Sequence, residues 1–216
     1  MVDTGTFVTA DGLSLQYERS APPAGVATRA LAVLCHPHPA HGGTMQSVVV
    51  SPLFAALPPI GIDTLRFNFR GVQGSQGSFD NGDGEQNDVT AAVDALRMLA
   101  PARIPLVLIG FSFGADLAMS CLNAEVDAYC MIAPPFRFAA AELDSHAFGK
   151  DARPKQIILA AHDDFRDPQW VLQHVAQWPN LRTQSVAGAN HFFVARTEAM
   201  IAIVAGFFDE VAATTS

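Results

Sequence analysis

Apolar runs of strand length alternate with helix-length segments along most of this 216-residue chain. The apolar runs, the last of them weaker than the others, cover residues 30–36, 63–69, 105–111, 128–133, 156–161 and 181–186. The segments between them carry apolar residues at helical spacing, as in 84–100, and several stop before a proline. Strands that are apolar throughout and alternate with helices predict an α/β fold, with a mostly parallel sheet covered by helices on both faces.

The N-terminus has a different pattern. A turn signal at Asp11-Gly12 separates residues 5–9 from the alternating segment 13–18, which predicts an antiparallel hairpin. With this hairpin the sheet would contain about eight strands. No internal repeat or composition break interrupts the chain, so we expect one domain over residues 1–216.

Composition excludes several classes of function. Half of the residues are hydrophobic and 16% are charged, which is typical of a globular chain, and the net charge of −8 disfavours nucleic acid as a partner. No apolar run is long enough to span a membrane, and the N-terminus lacks a secretory pattern. Cys35, Cys121 and Cys130 lie in apolar runs without metal-site spacing, which favours buried, reduced thiols in a cytoplasmic protein. The oligomeric state, monomer or dimer, is left open.

The most informative local sequence is GFSFG, residues 110–114, between an apolar run and a helical segment. A Gly-x-Ser-x-Gly turn at such a junction is the nucleophile elbow, in which a sharp turn exposes the serine hydroxyl. Small flanking residues allow the strand and the helix to pack closely, and the helix N-terminus directs N–H groups at the reacting centre. We therefore predict Ser112 as a nucleophile and the Phe113 N–H as an oxyanion donor; an ordinary tight turn is the alternative.

The segment LCHPHPAHGG, residues 34–43, follows the first parallel strand. Its histidines suggest a metal site, but two of them are only two residues apart and no carboxylate is near in sequence, so we expect no metal. In this architecture the second oxyanion donor comes from a loop after an early strand. Pro37 and Pro39 have no N–H, so the N–H of His38 is the predicted donor. The roles of His36 and His41 stay open.

A serine nucleophile needs a general base and a carboxylate that orients it, in the chain order Ser, Asp or Glu, His for this fold. His191 lies on a loop between the last strand and the last helix, which makes it the predicted base. The segment LAAHDDFRDP offers three aspartates. Asp167 precedes a proline and reads as a helix N-cap, whereas periodicity does not choose between Asp163 and Asp164.

Four motifs in this order resemble those of the α/β-hydrolase superfamily. GFSFG matches its nucleophile elbow, and RFNFRGVQGSQGS is similar to its D-x-R-G-x-G-x-S loop, with Asn68 and Gln73 as departures. AAHDDFRDP is similar to its G-x-x-D-x-x-x-P acid loop, with Ala161 in place of Gly, and this match selects Asp164. HPHPAHGGTM resembles small bacterial serine hydrolases related to the dienelactone-hydrolase type, with Ser where that type has Cys.

The resemblance implies the α/β-hydrolase fold and a triad of Ser112, His191 and Asp164, working without cofactor or metal. It is the basis for expecting a serine carboxylester hydrolase that acts on a small-molecule ester. A thioesterase, a lactone hydrolase or a peptidase would use the same machinery, and a non-catalytic binding module is the alternative from another class.

Two further expectations concern access to the site. The segment from Pro134 to Pro154 is short for a lid with helices of its own, so we expect no lid domain. Phe111, Phe136 and Phe192 adjoin the predicted site residues in sequence, and we expect them to line an apolar substrate pocket.

Overall fold

The fold is built on one eight-stranded sheet, seen in a computed structural model that describes residues 2–100, 103–137 and 147–214. The strands are β1 (Val2–Val8), β2 (Ser14–Ser20), β3 (Ala30–Cys35), β4 (Ile62–Phe67), β5 (Leu106–Phe111), β6 (Ala128–Ile132), β7 (Lys155–His162) and β8 (Leu181–Asn190). Their order is β1-β2-β4-β3-β5-β6-β7-β8. The β1–β2 and β2–β4 pairs are antiparallel and the others are parallel, which confirms both the predicted hairpin and the mostly parallel sheet.

Both faces of the sheet are buried, and this explains the continuous apolar runs. Successive residues of a strand point to opposite faces. In β3, Leu31 and Val33 belong to one core cluster, whereas Ala32 and Leu34 belong to the other. The helices are α1 (Val50–Ala56), α2 (Asp83–Leu99), α3 (Phe113–Ser120), α4 (Ala147–Lys150), α5 (Pro168–His174) and α6 (Thr197–Thr214).

Strand β8 is longer than the sequence predicts. The apolar pattern stops at residue 186, but the strand continues to Asn190. It pairs in parallel with β7 and occupies the edge of the sheet, where most of its side chains are at least partly exposed. Backbone pairing with β7 therefore extends the strand where apolar periodicity has ended. As a result, β8 ends directly before His191.

The region predicted to be too short for a lid contains the four-residue helix α4, and no lid domain is present in the described part of the chain. Residues 138–146 of that region lie outside the described residues. Among the helices described, none combines the length and the apolar character needed to cross a bilayer.

The three cysteines are buried and form no disulfide, as predicted. Burial raises the pKa of Cys35, Cys121 and Cys130 above the ordinary thiol value. A thiol with a raised pKa is a weak nucleophile at neutral pH, so these residues act as small apolar core residues.

Candidate active site

Ser112 lies at the junction between β5 and α3 in a strained backbone conformation. Its φ and ψ are 54° and −121°, a combination that L-residues seldom adopt. Two backbone hydrogen bonds hold this conformation. The Ser112 N–H donates to the Ile132 carbonyl at the end of β6 (2.9 Å), and the Ser112 carbonyl accepts from the Ala115 N–H (2.8 Å). This geometry is that of the sharp strand-to-helix turn predicted from GFSFG.

The two glycines of this turn are sites of close backbone packing. A Cβ at Gly110 would lie 2.2 Å from the Gly114 carbonyl oxygen, and one at Gly114 would lie 2.4 Å from the Cys35 carbonyl oxygen. Both distances are below any real Cβ contact, and the blocking atoms are backbone. Glycine is therefore required at both positions, and the second one brings α3 against the start of the histidine-proline loop.

Replacing Gly114 by alanine is expected to destabilise the protein by ~1–3 kcal/mol, because strand β3 and helix α3 must separate to admit a methyl group. Gly206 in α6 is the matched control, since nothing lies within 4 Å of an added Cβ there. Alanine at Gly206 should raise stability by ~0.5–1 kcal/mol. Denaturant unfolding of both variants measures the difference, and equal responses would contradict the close packing at the turn.

Ser112, His191 and Asp163 form a hydrogen-bonded chain. The His191 Nε2 lies 2.9 Å from the Ser112 Oγ, and its Nδ1 lies 3.0 and 2.9 Å from the two carboxylate oxygens of Asp163. All three side chains are nearly inaccessible to solvent. An imidazole held between a hydroxyl and a carboxylate can accept the hydroxyl proton while the carboxylate stabilises the resulting charge.

The carboxylate in contact with His191 is Asp163, so the prediction of Asp164 is wrong in this respect. Strand β7 has a register irregularity between Ala160 and His162, directly before these aspartates, which alters the alternation of side chains. Asp163 points inward and its Oδ1 also accepts the N–H of Phe165 at 2.8 Å, whereas Asp164 is exposed.

The loop after β3 begins with a fully buried histidine. The Nδ1 of His36 donates to the Pro37 carbonyl (2.6 Å), and its Nε2 accepts the N–H of Phe69 (3.1 Å). This pattern fixes one neutral tautomer and ties the loop after β3 to the end of β4. His36 is therefore a structural residue of the loop.

Burial lowers the pKa of His36 to about 4 from 6.5. Between these two pH values the unfolded chain binds a proton at His36 that the folded chain does not. The free energy of unfolding should therefore fall as the pH drops from 6.5 to 4, by ~3 kcal/mol in total, and this contribution should be constant above pH 6.5. An NMR titration of the imidazole, combined with unfolding at several pH values, tests this expectation. A ring that titrates near 6.5 would contradict it.

His38 lies beside the serine turn. Its ring centroid is 5.0 Å from that of Phe113 and 4.5 Å from that of His41, on which it stacks. Its Nδ1 accepts the N–H of Ala40 (3.2 Å), which caps the 3-10 helix Pro39–His41. The pKa of His38 is lowered by burial, and further by His41 and Arg137 nearby.

A cavity of about 270 Å³ opens above Ser112 and His191. Its lining includes two of the predicted pocket residues, Phe111 and Phe192, and also Phe165, which was not predicted from the sequence. Phe165 lies 4.2 Å from the His191 ring and is 44% exposed. Its position two residues after Asp163 was the available signal, because a residue next to the acid loop is close to the site.

Phe136 does not line this cavity, and its prediction as a pocket residue is wrong. Its side chain is fully buried and packs against Trp170 and Trp178, at 5.8 and 6.2 Å between ring centroids. The N–H of Phe136 donates to Asp116 Oδ1 (2.9 Å), and that of Arg137 donates to Asp116 Oδ2 (2.8 Å). The buried carboxylate of Asp116 thus fixes the turn after β6, and in this turn the Phe136 ring is in the core.

The two departures from the family loop contact each other. Asn68 is buried, and its Nδ2 donates to the side-chain carbonyls of Gln73 (2.8 Å) and Gln16 (3.0 Å). Its Oδ1 accepts the N–H of Met45 (2.9 Å). A carboxylate at position 68 could not donate these two hydrogen bonds. The amide of Asn68 is therefore the partner that the side-chain carbonyl of Gln73 requires.

Within residues 2–100, 103–137 and 147–214, no group of three or more His, Cys, Asp or Glu side chains could hold a metal ion. A larger groove of about 590 Å³ lies between the N-terminal hairpin and α2. Its lining contains neither a histidine nor a serine, so it has no nucleophile and base of the kind found at Ser112.

Comparison with known proteins gives consistent results. The chain is 32% identical to an α/β serine hydrolase homologue from Coxiella burnetii, covering 93% of this chain and 94% of that one with a TM-score of 0.80. An α/β serine hydrolase without a lid from Xanthomonas campestris is 31% identical, with 99% and 94% covered and a TM-score of 0.79. An uncharacterized protein of Rickettsia prowazekii is 34% identical over 176 residues, which are 78% of this chain and 74% of the relative. No family model matches the chain.

Proposed function

The chain belongs to the α/β-hydrolase superfamily, and from this premise we propose that it is a serine hydrolase that cleaves small carboxylic esters through an acyl-enzyme intermediate. The observation that carries the proposal is the hydrogen-bonded chain from Ser112 through His191 to Asp163. Its order in the sequence and its location at the carboxyl ends of parallel strands agree with this activity.

In the proposed mechanism the Ser112 Oγ attacks the carbonyl carbon of the ester, and its proton passes to the Nε2 of His191. Asp163 accepts the Nδ1–H of His191 and stabilises the imidazolium. The protonated His191 then gives its proton to the leaving alcohol as the carbon–oxygen bond breaks. Water, deprotonated by His191, attacks the acyl-enzyme in the second half of the reaction, and Ser112 regains its proton when the acid leaves.

The N–H groups of Phe113 and His38 are the proposed oxyanion donors. Phe113 begins α3, so its N–H lies at the positive end of the helix. His38 lines the cavity beside Ser112, and among the described residues no acceptor takes its N–H. Two donors next to the nucleophile would stabilise the negative oxygen, and losing one such donor typically costs ~2.7–4 kcal/mol in the barrier.

The volume and lining of the cavity support small substrates. About 270 Å³ is below the usual range of ligand pockets, and the phenylalanine side chains favour an apolar group next to the ester. Phe165 and Phe192 are each 44% exposed, so the pocket is open on one side. These features favour short-chain esters over long-chain lipids.

A panel of substrates with one acyl group, presented as an aryl ester, a thioester and an anilide, tests the proposed function. We expect the ester to be hydrolysed, with a fluorophosphonate probe labelling Ser112 in parallel. Preference for the thioester or the anilide would assign the same machinery to a thioesterase or a peptidase. A folded sample that hydrolyses none of these and forms no adduct would instead indicate a binding module.

A further inference from the structure

The cavity contains a second serine, Ser47, whose hydroxyl has no role in the proposed mechanism. Its backbone is fully used: the N–H donates to the Thr44 carbonyl (3.0 Å), and the carbonyl accepts the N–H of Ser51 (2.9 Å). Met45, two residues before Ser47, is also held in place. Its N–H donates to Asn68 Oδ1 (2.9 Å), and its carbonyl accepts from Arg66 Nη1 (3.0 Å). The position of Ser47 is therefore fixed by the fold.

The Ser47 hydroxyl itself is unpaired. Its Oγ is buried and has no hydrogen-bond partner within the described parts of the chain. Buried polar atoms nearly always have a partner, and an exception in a native structure calls for an explanation. Ser47 lines the same cavity as Ser112 and His191. A hydroxyl left unpaired beside a reactive site is explained if the partner is a substrate.

The cavity has two chemically different sides. Phe111, Phe165 and Phe192 surround the His191 ring, at 5.4, 4.2 and 5.2 Å between centroids. The segment from Pro37 to Ser47 forms the other side and contributes imidazoles, glycines and Ser47. Because His191 must protonate the leaving oxygen, the alcohol part of the ester belongs on the phenylalanine side. The acyl group then faces the side that contains Ser47.

We propose that Ser47 is a specificity-determining residue that selects acyl groups carrying a hydroxyl or oxo substituent next to the scissile carbonyl; this inference rests on the proposed esterase function. The Ser47 Oγ is shielded from solvent in the free protein. Rotation about the Cα–Cβ bond, which has three staggered minima, brings it to the substituent in the cavity. The preferred substrate is thus an ester of a short 2-hydroxy or 2-oxo acid with an apolar alcohol.

The test compares two aryl esters that differ by one hydroxyl, the propanoate and the 2-hydroxypropanoate. We expect the wild-type protein to have the higher kcat/KM for the hydroxylated ester. Ser47→Ala should lower the ratio of kcat/KM for the 2-hydroxypropanoate to kcat/KM for the propanoate about 10-fold, the value of one net hydrogen bond. Ser51→Ala is the matched control, because its hydroxyl already accepts from Arg66 Nη1 (2.9 Å) and does not line the cavity.

The outcomes separate this proposal from the proposed function. A wild-type protein without preference for the hydroxylated ester, or a Ser47→Ala variant that keeps the preference, overturns the role of Ser47 while esterase activity stands. Absence of hydrolysis of both esters by folded wild-type protein rejects the esterase function itself. Ser47→Gly, which also lacks the hydroxyl, provides a second variant if the alanine protein fails to fold, and the same ratio decides.

Discussion

Ser112→Ala is expected to lower kcat for ester hydrolysis by ~10⁴–10⁶-fold while the protein stays folded. The loss is large because no acyl-enzyme can form without the hydroxyl, so only binding and oxyanion stabilisation remain. The fold should persist because alanine retains the Cβ and the Ser112 backbone is held by its bonds to Ile132 and Ala115. Steady-state kinetics and thermal unfolding measure the two effects.

Ser120→Ala is the control for this variant. Ser120 lies at the end of the same helix, α3, and its hydroxyl donates to the Asp116 carbonyl (3.2 Å), away from the cavity. We expect it to retain activity and fluorophosphonate labelling, whereas Ser112→Ala should lose both. If Ser112→Ala kept substantial turnover, the nucleophile would be another residue and the proposed mechanism would be wrong.

Asp163→Asn is expected to lower kcat by ~10⁴-fold, and Asp164→Asn should leave it close to wild type. Asparagine removes the charge that stabilises the imidazolium and favours the wrong tautomer of His191. It still offers an oxygen to the Phe165 N–H, which Asp163 Oδ1 accepts in the native loop (2.8 Å), so the loop should be preserved. Unchanged circular dichroism with reduced kcat would identify the effect as electrostatic.

Each of these two variants is the experimental control for the other, because the adjacent aspartates share the loop and differ in whether they contact His191. A large loss in Asp164→Asn together with an active Asp163→Asn would show that the sequence resemblance identified the acid correctly and that the observed contact is not the functional one. Equal and small decreases of kcat in both variants would show that neither carboxylate contributes to the mechanism.

Much of this fold could be predicted from the sequence because the signals are local. Apolar runs buried on both faces identify the strands, and GFSFG identifies the turn at Ser112. No local sequence signal distinguishes Asp163 from Asp164, because which of them faces His191 depends on the register irregularity at the end of β7. A one-residue change in register exchanges the faces to which side chains point, and no periodicity in the sequence reports it.

The pocket residues were the hardest to predict for the same reason. Phe136 is in the core because its backbone is bound by Asp116, a residue 20 positions away in the chain. Phe165 enters the site because the Asp163 side chain bonds to its N–H. Phenylalanine is equally suited to core and pocket, so the orientation of each loop decides. Hydrogen bonds of both short and long sequence separation hold these loops.

The half-exposed Phe165 and Phe192 at the rim of the cavity bear on the fate of the acyl-enzyme in the proposed mechanism. An acyl-enzyme partitions among the nucleophiles that reach it, and a site open to bulk solvent presents it mainly with water. Enzymes that transfer acyl groups to other alcohols need to suppress this competition by excluding water. With the rim open, the partition should favour release of the free acid over synthesis of a new ester.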